Sequence, residues 1–174
     1  MPATIERLYV EGRYRDAMSR GESLLKRGED ARVRLFTGLG AYEAGEVSSA
    51  VTHLLAAVRA GQELRVPVVH RHERLVGRDE YCRGDLVLTQ GLVEYRGSER
   101  GHAFGVAYAR VAEVSLRSLS LQREPSVLRV KLDQGSGGRS FDLVVAARGA
   151  GDATPCGDCG AKAVVLERLL AALK

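Results

Sequence analysis

The chain has no apolar run near the roughly 18 residues that a membrane-crossing helix needs, and its N-terminus, MPATIERLYVEGRY, lacks the apolar core of a signal peptide. A cytoplasmic protein is therefore expected. It also lacks a strip of one charge. Residues 1–77 hold 12 Lys+Arg against 10 Asp+Glu, and residues 78–174 hold 14 against 12, with the signs interleaved. Nucleic-acid binders gather positive charge on one face, so the net +4 argues against that class. Arg outnumbers Lys 22 to 4, a bias expected of a GC-rich coding sequence. No G-x-S-x-G, P-loop, G-x-G-x-x-G or H-E-x-x-H motif occurs, and although Glu99 and His102 share a loop, nothing nearby reads as a nucleophile. Enzymatic activity is not expected.

The apolar fraction of 45% is that of a globular protein and excludes intrinsic disorder, and 174 residues suffice for one ordinary domain or two small ones. The pattern favours two, because the rhythm changes near Pro67. Before it the sequence repeats at an offset of 33 residues, pairing Tyr9 with Tyr42, Gly12 with Gly45, Ala17 with Ala50 and Gly28 with Gly61. The Gly-x-x-x-x-Ala spacing is expected to let two helices approach closely around a short turn. Gly28 and Gly61 are expected to end the second helix of each pair through a positive φ. Helices are predicted at about residues 3–11, 13–27, 31–44 and 47–60.

This pattern resembles the tetratricopeptide repeat over residues 3–61, as two repeats, departing from it in offset, in the lack of Trp and in the lack of a closing Pro. The resemblance implies a surface that binds a protein or peptide. Two repeats are fewer than such arrays need to be stable alone, so one end should be covered by the rest of the chain or by a second copy, making a homo-oligomer.

Gly61–Pro67 reads as a linker, with a helical domain over 1–62 and a β-domain over 63–174. Beyond it the period falls to two. Leu128, Val130 and Leu132 alternate with Arg129, Lys131 and Asp133, and Phe141, Leu143 and Val145 alternate after the loop Gln134–Gly138. Further strands are predicted at Val66–His72, Gly84–Thr89, Leu92–Tyr95, Ala103–Ala107 and Val111–Arg117. Their short connections make them antiparallel. Leu166, Leu169, Leu170 and Leu173 then fall at helical spacing, and this last helix should cover the open edge of a curved sheet. The fold class is α+β: antiparallel helical hairpins, a seven-stranded antiparallel sheet and a C-terminal helix. Seven strands closed by one helix resemble the pleckstrin-homology-like superfold and its GRAM-type relatives, which implies a barrel-like binding or oligomerisation module.

Three groups of residues could carry chemistry. Cys156-Gly157-Asp158-Cys159-Gly160 resembles a zinc knuckle; with Cys82 it would supply three thiolates, and His70, His72 and His102 are further zinc candidates, His53 a weaker one. The same C-x-x-C at a helix start could be a redox pair, or a reduced loop in which Asp158 caps the last helix. His70 and His72 share one face of a strand and could bind metal, sense pH or line a polar face. Arg71, Arg74, Arg78 and Arg83 surround the first hairpin, where phosphoinositide-binding pleckstrin-homology domains place basic residues. That implies docking on a membrane surface, although Glu73, Asp79, Glu80 and Asp85 interrupt the charge. The primary expectation is a non-enzymatic adaptor for protein–protein interaction.

Overall fold

The computed structural model describes residues 2–72, 80–98, 103–117, 126–147 and 154–174. Helices α1 (Pro2–Val10), α2 (Tyr14–Leu25), α3 (Ala31–Ala44) and α4 (Val47–Arg59) come first. The repeat in the sequence is a repeat of structure. Gly12 and Gly45 both sit in the left-handed region, with φ of 77° and 78°. That region suits glycine because it has no Cβ to clash with the following carbonyl. One residue on, Arg13 N–H donates to the Leu8 carbonyl and Glu46 N–H to the Ala41 carbonyl, each at 2.9 Å. These bonds satisfy carbonyls that a helix end would otherwise leave open.

Two expectations about the glycines need correction. Gly12 and Gly45 shape the turns, whereas close approach is provided by others. A Cβ on Gly21 would lie 1.9 Å from Thr37 Oγ1, and one on Gly40 would lie 2.7 Å from the Tyr14 carbonyl oxygen. Gly61 ends α4 with φ of 88°, as expected, but Gly28 is not left-handed, and α2 runs out through a right-handed Lys26.

Seven strands follow: β1 (Leu64–His72), β2 (Glu80–Leu88), β3 (Leu92–Gly97), β4 (Phe104–Ala107), β5 (Val111–Arg117), β6 (Val127–Leu132) and β7 (Ser140–Val145). They form one antiparallel sheet in the order β4-β3-β2-β1-β7-β6-β5, curled into a half-barrel with β4 and β5 at its edges. The junction of β1 with β7 is short, pairing only Val68 with Val145, Val69 with Val144 and His70 with Leu143. The last residues of β1 pair with β2 alone, so a notch opens between Arg71–His72 and the start of β7.

Helix α5 (Gly160–Leu173) joins the halves. It packs on β5, β6 and β7, as its apolar face led us to expect, and also on α3 and α4. Leu166, Leu169 and Leu170 are at most 1% exposed, and burying a leucine contributes about 1.5–3 kcal/mol. One hydrophobic cluster therefore runs from Tyr42, Leu54 and Val58, through α5, to Leu64, Val68, Leu86 and Phe141. Within the array, α3 packs on α1 and α2; α5 packs in the same way on α3 and α4. It thus stands where the first helix of a third repeat would stand, and it buries the end that two repeats leave open.

Candidate functional site

The inner face of the sheet places His70, His72 and Cys82 together. His70 and His72 are two apart on β1, so both project to the same side, and Cys82 on β2 is the register partner of His70. The imidazole centroids are 4.6 Å apart, and Cys82 Sγ lies 3.8 Å from His70 Nδ1. One ligand atom from each of the three residues lies within 4.8 Å of the other two, the one such group among the described residues.

Tyr95 on β3 backs this cluster. Its ring lies over the Gly84–Gly97 pair, where a Cβ on Gly84 would meet it at 2.5 Å, and so its hydroxyl extends over β2 to Cys82. The hydroxyl donates to the Cys82 carbonyl at 3.1 Å and stands 3.4 Å from Sγ. Phe141 and Phe104 complete an apolar wall, with ring centroids 5.5 Å from His70 and 4.6 Å from each other respectively. On the side away from this wall, a cleft of about 340 Å³ is lined by His70, Arg71, His72, Arg129, Ser140 and Asp142. Arg129 and Asp142, register partners on β6 and β7, form a two-bond ion pair at 2.6 and 2.5 Å there. A planar guanidinium matches a carboxylate in this way. Tyr95 and the Arg129–Asp142 pair were not singled out in the sequence, although their places opposite a small residue and across a hairpin are the signals that would have found them.

Cys156 and Cys159 are joined to each other in a disulfide. This corrects the expectation of a reduced loop, and Asp158 does not cap α5: Cys159 holds that position, with no side-chain cap bond. The structure groups Cys82 with the two histidines and not with this pair. The segment before α5 is tied to the sheet, with Cys156 N–H donating to the Val145 carbonyl at 2.9 Å.

Of the arginines, Arg71 lines the notch cleft, while Arg83 lines a separate shallow cleft with Asp85, Arg96 and Ser98. Arg74, Arg78, Glu99 and His102 lie outside the described residues. His53 stands in the helical array with its Nδ1 3.4 Å from Arg34 Nη1, and burial followed by that guanidinium holds its pKa below the ordinary value.

A second recess, about 100 Å³, lies where the helical array meets the ends of β1 and β7. Tyr9, Tyr42, Glu43, Pro67, Ala146 and Lys162 are among its lining residues. Lys162 Nζ bonds Glu43 Oε2 at 2.6 Å and lies 5.3 Å from the centre of the Tyr42 ring. Burial raises the Tyr42 pKa, so its hydroxyl stays neutral.

No family model matches the chain, and no curated protein matches it. No helix among the described residues is long and apolar enough to cross a membrane.

Proposed function

We propose that the chain is a non-enzymatic cytoplasmic adaptor, with a tetratricopeptide-like array and a pleckstrin-homology-like half-barrel that together present one binding surface to a protein or peptide. The observation that supports this reading most is α5 standing as a third-repeat helix, so that α1, α3 and α5 form a row of three. Along that row, Glu6 and Arg32 pair between α1 and α3 at 2.6 Å, and Glu43 and Lys162 pair between α3 and α5. The recess at Tyr9, Tyr42 and Pro67 lies where this row meets the sheet. It has room for one anchoring side chain, flanked by aromatic rings and a charge pair that fix orientation.

The test is affinity capture from a native extract with the wild type and with Pro67→Arg, which fills the recess from an exposed strand position without touching the core. A complex of fixed stoichiometry, recovered by the wild type and lost with Pro67→Arg, is the expected result. Catalytic turnover by the purified chain with no partner recovered would overturn the reading. Docking on a membrane surface is the other reading, and it has less support: of its four arginines only Arg71 and Arg83 are described, and they line different clefts, the latter beside Asp85. Co-sedimentation with anionic vesicles at low salt separates it from the adaptor.

A further inference from the structure

From the juxtaposition of His70, His72 and Cys82 we infer a binding site for one divalent ion of borderline softness, with zinc the best match. The donor set decides the class. A thiolate and two imidazoles suit zinc or cobalt, and exclude calcium and magnesium, which take oxygen ligands. Tetrahedral zinc takes sulfur at about 2.3 Å and nitrogen at about 2.0–2.1 Å, so its ligand atoms stand roughly 3.3–3.6 Å apart. The 3.8 Å between Cys82 Sγ and His70 Nδ1 is close to that, and the remaining separations, all within 4.8 Å, close by rotation of the imidazoles.

The surroundings fit the same chemistry. Two ligands come from one strand and the third from its register partner, so the backbone fixes all three on the inner face before any ion arrives. The Tyr95 hydroxyl, which donates to the Cys82 carbonyl at 3.1 Å, stands 3.4 Å from Cys82 Sγ. Its one O–H need only turn from that carbonyl to bond the thiolate that a metal would create, the role that outer-shell partners of metal ligands take. Tyr95, Phe104 and Phe141 keep water from one side, while His70 and His72 line the cleft through which an ion would enter. Binding replaces the thiol proton: the Cys82 S–H gives its proton to solvent as the sulfur–metal bond forms, and each imidazole binds in its neutral form. Three protein ligands leave a fourth position for water or for a group supplied by a partner.

Cobalt(II) is the probe, because a thiolate bound to it gives a charge-transfer band in the near ultraviolet and a tetrahedral site gives intense visible bands. The titration uses the full chain without reductant, so that the Cys156–Cys159 disulfide stays closed. One equivalent should bind, with the thiolate band, and one equivalent of zinc should displace it. Cys82→Ser should abolish the band. His72→Gln, at a half-buried position that tolerates a polar side chain, should weaken binding by more than the roughly 100-fold typical of losing an outer-shell partner. Circular dichroism of both variants separates lost ligands from lost fold. The double variant Cys156→Ser/Cys159→Ser should bind like the wild type. No binding by the wild type, a band that survives in folded His72→Gln at unchanged affinity, or one lost with the double serine variant would each overturn the site.

Discussion

Lys162 of α5 and Glu43 of α3 form an ion pair at 2.6 Å, 119 residues apart in sequence, with side chains only 18% and 13% exposed. The contact ties the helical array to the helix that closes the sheet, over the face of Tyr42. At such low exposure, removing one partner leaves a charge with poor solvation. Lys162→Ala and Glu43→Ala should each destabilise the chain by about 1–3 kcal/mol, with a coupling of about 1 kcal/mol in a double-mutant cycle. Urea unfolding measures this; single effects that simply add would show that the pair does not join the halves energetically.

The helices of the array meet at Gly21 and Thr37. A methyl group on Gly21 would overlap Thr37 Oγ1, which is itself fixed by donating to the Val33 carbonyl at 2.7 Å. Gly21→Ala should therefore lower stability by about 1–3 kcal/mol, the usual range for overpacking. Gly28→Ala is the control, since nothing lies within 4 Å of the added carbon and its φ is not left-handed. It should be neutral or stabilising by up to about 1 kcal/mol. Equal losses at both positions would contradict the packing described.

Proteolysis probes the junction. The chain enters the core as soon as β1 begins, with Leu64 and Val66 at 0% and 2% exposure. Of the expected linker Gly61–Pro67, residues 64–67 are thus the start of β1, paired with β2, and a low dose of protease should not release fragments divided near residue 62. An early cut there would show a loose tether between independent halves.

The pH dependence centres on His53. Its folded-state pKa is lowered, first by burial and then by Arg34, with Glu22 and Glu29 opposing more weakly. The unfolded chain therefore binds the proton more readily. This contribution to stability is complete above the ordinary value of 6.5, and it is lost as pH falls below that toward the folded pKa. His53→Gln should show a smaller fall in the urea midpoint between pH 7 and pH 5 than the wild type. An unchanged profile would exclude His53 as a source of acid sensitivity.

Much of the fold was legible along the chain because its signals are local. Helical spacing in Leu166–Leu173, alternation in Val127–Leu132, and paired glycines at Gly12 and Gly45 each act over a few residues, and the elements formed where those patterns run. The candidate site was legible only in part. That His70 and His72 share a face follows from the period of a strand, whereas the pairing of His70 with Cys82 depends on the β1–β2 register, and Tyr95 reaches them only because Gly84 and Gly97 leave room for its ring.

The sequence by itself determined where the helices and strands lie and which face of each is apolar, since propensity and period depend on near neighbours. Tertiary structure alone decided that α5 joins the helical array and the sheet in one core, that Cys82 lies with two histidines while Cys156 and Cys159 join each other, and that the row of α1 and α3 gains its third helix from the other end of the chain. Those outcomes rest on contacts between residues far apart in sequence, which packing and register select and local pattern does not encode.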